Sequence, residues 1–140
     1  MYEIIDANSF MTLATSDARG IPWASPVWFA HRDYREFFWV SRPDARHSRN
    51  LAERPELAIV IFDSTVVPLE GEAVYMTATA ELTEDGLDVF NKRGAAQGLR
   101  EWTRADVTEP ARHRLYRATA SEQWTLGDGD VRIPVARRTA

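Results

Sequence analysis

A chain of 140 residues with 44% hydrophobic content is the length of one domain and apolar enough to build one sizeable core. Its 17 Lys+Arg against 21 Asp+Glu leave a formal charge of −4, which argues against a general binder of nucleic acid or of acidic membranes, since both normally carry a basic excess. With no cysteine, the chain has no disulfide, zinc–thiolate site, iron–sulfur cluster or thiol nucleophile.

The N-terminal "MYEIIDANSF" lacks a basic region followed by an apolar run, and no stretch approaches membrane-span length, so the expectation is a cytoplasmic protein. "FMTLATSD" is rich in β-favouring residues, "DARG" supplies turn chemistry and "IPWASPVWFAH" is a second extended run, which together predict a hairpin. Pro22 and Pro26 cannot donate ladder hydrogen bonds, which puts the second strand at an edge or interrupts it there, leaving backbone groups for a ligand. "HRDYR" then turns the chain into "EFFWVS". Asp44 is expected to N-cap a helix "ARHSRNLAER" that Pro55 stops. "LAIVIFD" reads as a strand buried on both faces. "EAVYMTATAEL" reads as a half-buried strand with Val74, Met76, Ala78, Ala80 and Leu82 on its inner face. Beyond it, "TEDGLDVFNKRGAA" predicts a short helix, "HRLYRATASEQWTL" a further extended run, and "GDGDVRIPV" a Gly-rich turn into a short terminal run. Antiparallel strands with one or two inserted helices suggest a small β-barrel or an α+β sheet.

The chemistry concentrates in "WVSRPDARHSRNLAERP". Backbone amides at a helix N-terminus favour an anion, and Ser41 at the strand end with Arg46, His47 and Ser48 in the first turn offers hydroxyl, guanidinium and imidazole donors. A cation in the first turn is unfavourable by about 0.3–1 kcal/mol at an exposed site unless an anion sits there. The same residues also suit a solvated helix face, and spacing alone leaves both readings open. His31 and His113 lie far apart with no helical His/Glu spacing, so no metal site is expected. The scattered serines and histidines have no nucleophile-elbow setting. Trp23, Trp28 and Trp39 are expected to be packing residues, and Trp102 is either a lid or an anchor between subunits.

In the order of its parts the sequence resembles the FMN-binding split-barrel family, best known from pyridoxamine 5′-phosphate oxidase. The likeness runs through "TLATSDARGIPWASPVWFA", "FFWVSRPDARHSRNLAERPELAIVIFD", "GEAVYMTATAEL" and "SEQWTL". It implies a mainly β fold with α insertions over residues 1–140, an antiparallel Greek-key split barrel. It implies a homodimer with FMN at the interface and a small-molecule substrate. By position, Ser41, Arg46 and His47 would bind the flavin phosphate with Ser48 as a further donor, and Ser25, Pro26, Val27 and Trp28 would run beside the ring. Trp124 would reach the flavin of the other subunit, accompanied by Arg132. "SPVWFA" lacks the cations that flank this segment in the oxidase, and "GLREWTRADVTEP" has no match to the residues that hold pyridoxal phosphate. The expectation is therefore an FMN oxidoreductase passing hydride or electrons from a nicotinamide to a small substrate other than pyridoxamine phosphate. A deazaflavin-dependent reductase, with Arg42 and Arg49 meeting the longer acidic tail, is the alternative. The other is a flavin or haem module without turnover, for which His113 is the candidate axial ligand.

Overall fold

The computed structural model describes residues 1–68 and 72–136. Eight strands form one antiparallel sheet: β1 (Phe10–Ser16), β2 (Pro22–Trp28), β3 (Ala30–Arg32), β4 (Glu36–Ser41), β5 (Glu56–Phe62), β6 (Ala73–Leu82), β7 (Arg114–Leu126) and β8 (Arg132–Pro134). Helix α1 (Tyr2–Ala7) precedes them, α2 (Arg46–Glu53) joins β4 to β5, and α3 (Leu87–Ala96) follows β6. The spatial order is β2-β1-β5-β6-β7-β4-β3, with β8 also on β7. Strands β5, β6 and β7 are consecutive neighbours, and β4, which precedes them through α2, lies beside β7 rather than β5. That is a Greek-key connection, and α2 is its crossover. The sheet curls until β2 approaches β4, giving the split β-barrel.

The expected β1–β2 hairpin forms, closed by Asp17, whose carboxylate accepts the amides of Arg19 and Ile21. Strand β2 pairs with β1 alone and is an edge, the place its two prolines can occupy. Inside the curl, Met11, Leu13, Phe29, Phe37, Trp39, Ile59, Ile61, Val74 and Met76 pack into one buried cluster. A smaller cluster of Phe38, Phe90, Val107 and Leu115 lies under α3. Gly86 begins α3 at φ +105, and a Cβ there would overlap the Phe38 ring. The helix consequently starts at Leu87 rather than at the acidic run before it. Those acids instead form ion pairs: Asp85 with Arg32 and Arg117, Glu84 with Arg104, and Glu81 with Arg117.

Three expectations are corrected. Asp44 does not cap α2: its carboxylate accepts two bonds from Arg42 at 2.8 and 3.0 Å, and the N-cap is Ala45, with no side-chain cap. The guanidinium fork two residues away competes successfully for both carboxylate oxygens. Strand β5 is buried on one face only; Leu57, Ile59 and Ile61 point in, while Ala58 is exposed and Phe62 is 50% exposed. No helix of this chain covers its outer side among the described residues. Leu82 ends β6 at 62% exposure rather than in the core. Helix α1 was not anticipated; it buries Ile5 and is tied to the β3–β4 turn by Asp6, which bonds His31 and the Tyr34 hydroxyl.

Candidate functional site

The end of β4 and the first turn of α2 build the polar core of the site. Ser41 Oγ and His47 Nε2 lie 2.9 Å apart. The imidazole is 9% exposed, and burial pushes its pKa below the ordinary value of 6.5, with no charged neighbour contributing. A buried imidazole without a counter-charge favours its neutral form. Beside it Ser48 is 4% exposed, and its hydroxyl has no hydrogen-bond partner among the described residues. Asn50 donates to Thr15 Oγ1 at 3.0 Å and anchors the helix to β1. Of the four buried residues of α2, only Leu51 is apolar. Burying a hydroxyl without a partner costs about 1–3 kcal/mol, so this polar face is poorly explained by packing.

The cations occupy the outer face. Arg42 is held by Asp44, whose carboxyl it keeps below the usual range. The Arg46 guanidinium lies over the Trp23 ring at 4.3 Å, and Arg54 donates to the Ala18 carbonyl at 2.8 Å. The first turn of α2 holds no acid and no side-chain cap, so no side chain of the helix itself meets the partial positive charge of its free amides.

A cavity of about 390 Å³ opens next to this corner, within the range of roughly 300–1,000 Å³ usual for small-molecule sites. Pro26, Val27 and Trp28 from β2, Val40 and Ser41 from β4, and His47 from α2 line it. Five of the expected residues, Pro26, Val27, Trp28, Ser41 and His47, therefore meet in one place. Ser25 is half-buried in β2 outside the lining, Ser48 lies beneath the helix, and Arg46 faces a separate shallow surface with Arg49. Trp124 lies in β7, where it does not line the cavity of its own chain, and Arg132 stacks over Tyr75 at 4.2 Å.

Sequence reasoning missed the far wall. Phe90, Asn91 and Gly94 of α3, with Leu99 and Arg100 beyond it, also line the cavity. The apolar spacing within "LDVFNKRGAA" signals a helix but not what it faces. Trp102 lines the cavity together with His113, and Asn91 fixes it by exchanging two 2.8 Å bonds with its backbone. Trp28 and Trp39 pack as expected, Trp39 fully buried and stacked on Tyr116, whereas Trp23 is a surface residue under Arg46. Among the described residues no group of three potential ligands could hold a metal ion, and no helix is long and apolar enough to cross a membrane.

A wider groove of about 940 Å³ runs between the β5–β6 and β7–β8 connections, with Asp63, Glu72, Asp128 and Asp130 on its walls. That charge repels an anion, whereas no carboxylate is among the described lining residues of the smaller cavity.

Comparison with known proteins agrees with this architecture. The family model described as pyridoxamine 5′-phosphate oxidase matches residues 1–126. Pyridoxine/pyridoxamine 5′-phosphate oxidase of Crocosphaera subtropica is 25% identical over 134 residues, 94% of this chain and 61% of the relative, so the chain spans about three fifths of that protein's length. The haem storage protein HutZ of Vibrio cholerae aligns with TM-score 0.66 at 23% identity over 86% of this chain and 87% of that one. A haem-binding protein of Mycobacterium smegmatis aligns with TM-score 0.69 at 22% identity over 94% of this chain and 54% of that one. At such identities the two structures share the fold.

Proposed function

Because the chain belongs to the pyridoxamine 5′-phosphate oxidase family, we propose that it binds FMN at the β4–α2 corner and serves as an oxidoreductase for a small molecule other than pyridoxamine phosphate. The observation that carries this reading is the unmet donor set at the start of α2: uncapped amides, no acid, and a buried Ser48 hydroxyl without a partner. A phosphate at the first turn would accept from the free amides and meet the positive end of the helix, and Ser48 would join it only by turning its hydroxyl towards the amides. Ser41 and His47 hold it from the cavity side, Arg46 approaches from the outer face, and Pro26, Val27 and Trp28 orient the ring. Bound FMN would supply the redox chemistry; the chain's part is to anchor the phosphate and exclude water.

The proposed homodimer is supported by the outer face of the sheet. Pro26, Thr12, Val60, Tyr75, Trp124 and Pro134 stand opposite one another on successive strands and form a continuous cross-strand row. A second copy covering that row would bring its Trp124 towards the β2 edge. Deazaflavin is less well supported, since Arg42, one of the cations needed for its acidic tail, is engaged by Asp44. One observation favours haem as a second reading: His113 lines the cavity, and its ring nitrogens have no hydrogen bond among the described residues.

Titration of the purified chain with FMN, riboflavin, a deazaflavin and haem separates these readings. FMN binding at least about tenfold tighter than riboflavin, with the advantage lost in His47→Gln and reduced in Arg46→Ala, supports the phosphate anchor. Equal affinity for FMN and riboflavin overturns it, and haem binding abolished by His113→Ala installs the second reading.

A further inference from the structure

The flavin reading uses the β2 and α2 sides of the cavity and leaves Arg100, Trp102 and His113, which line the same space, without a role. These residues belong to a run of rings meeting edge to face. Trp28 contacts Phe90 at 4.9 Å and 85°, Phe90 contacts Trp102 at 6.4 Å and 82°, and Trp102 contacts His113 at 5.5 Å and 73°. Edge-to-face contacts of this kind give the cavity a packed aromatic wall. The Arg100 guanidinium lies over Trp102 at 4.3 Å. Its ion pair with Asp106 is long, 3.4 Å, because Asp106 Oδ2 already accepts from the Thr103 amide at 2.8 Å and the Thr103 hydroxyl at 3.0 Å. The His113 imidazole carries a donor N–H in either tautomer, with no acceptor among the described residues. No carboxylate is among the cavity's described lining residues. An aromatic wall, a 63% exposed guanidinium with only a long ion pair, an imidazole donor and no lining acid together suit a planar anion.

We propose that the cavity contains a subsite for a flat aromatic carboxylate, held against the Phe90 and Trp102 wall, with Arg100 as its principal donor and His113 as the second. The subsite rests on the flavin reading in one respect, that the cofactor takes the β2–α2 side and leaves this part of the cavity free for a second ligand. Arg100 meets a carboxylate through two parallel N–H bonds, a geometry that its long contact with Asp106 lacks.

The test is calorimetric titration of the full chain, with and without FMN, using 2-naphthoate and its uncharged counterpart 2-naphthamide. The acid is expected to bind about tenfold more tightly than the amide, the effect of one charge-assisted bond. Arg100→Gln should erase that preference while leaving amide affinity unchanged, and His113→Gln should narrow it. Asp106→Asn keeps an acceptor for Thr103 but frees Arg100, and should tighten naphthoate binding; a merely structural Arg100–Asp106 pair predicts no gain. Equal binding of acid and amide, a preference surviving Arg100→Gln, or competition between naphthoate and FMN overturns the subsite. FMN binding without acid preference removes the subsite alone. Arg100-dependent naphthoate binding without FMN binding removes the flavin reading and leaves the subsite standing.

Discussion

The two faces of the curled sheet are built from similar residues and meet different fates. On the inner face Leu57, Ile59 and Ile61 of β5 are buried against Phe37, Val74 and Met76. On the outer face of the same strand Val60 is half-buried and Phe62 half exposed, in line with Tyr75 and Trp124. One apolar surface is finished by the chain itself and the other is left partly open among the described residues. The contrast teaches that a two-sided apolar strand does not reveal which face folding covers.

The largest effect that tests this comparison belongs to the inner face. Phe37→Ala should lower unfolding free energy by about 3–5 kcal/mol, measured by denaturant titration; a loss as small as at a surface site would remove the distinction between the faces. On the outer face Val60→Lys should leave the fold intact but convert the proposed dimer to a monomer in sedimentation equilibrium, with loss of FMN binding; a wild-type chain that is itself monomeric would remove the proposed seam. A dimer that persists would show that the seam lies elsewhere. Next in size, His47→Gln should weaken FMN about tenfold near neutral pH.

That effect carries a pH dependence. Burial lowers the His47 pKa, so the unfolded chain takes up a proton more readily than the folded one. The ligand-free protein should keep its full stability above about pH 6.5 and lose some as the pH falls from there towards the lowered folded-state pKa. A bound phosphate works in the opposite sense, drawing a proton onto the imidazole, so FMN affinity should fall as pH rises through the pKa of the complex. Thermal melts and FMN titrations across this range check both slopes, and His47→Gln should flatten each. The smallest expected effect is the most pointed. Ser48→Ala removes a buried hydroxyl that lacks a partner, so it should be neutral or slightly stabilising without ligand yet weaken FMN; a clear loss of stability in the ligand-free protein would mean the hydroxyl is already satisfied.

Much of the fold is legible in the sequence because period-two alternation, turn residues and prolines act locally. "EAVYMTATAEL" alternates along one strand, and Pro22 and Pro26 mark an edge before any neighbour is known. Asp44 stands where a cap would, but the Arg42 side chain takes both of its oxygens, a competition that position along the backbone does not show. The phosphate corner is legible as composition, but its division into a buried face of His47, Ser48 and Asn50 and an outer face of arginines needs the helix phase against β1. Arg100 carries no signal of its own, and His113 stands out only as a histidine; the packing of α3 and the start of β7 brings both to the cavity.

The Greek-key crossover bears on how the protein assembles as well as on what it binds. Ser41 pairs with Arg114 across about half of the chain, so the β4–β7 ladder is a non-local contact that pays loop-closure entropy before it gains stability. Refolding should therefore be slower than a helical protein of this size would show. The strand end that carries Ser41 becomes rigid only when β7 arrives, so cofactor capture should report a late stage of refolding, following rather than leading the collapse of the β1–β2 hairpin.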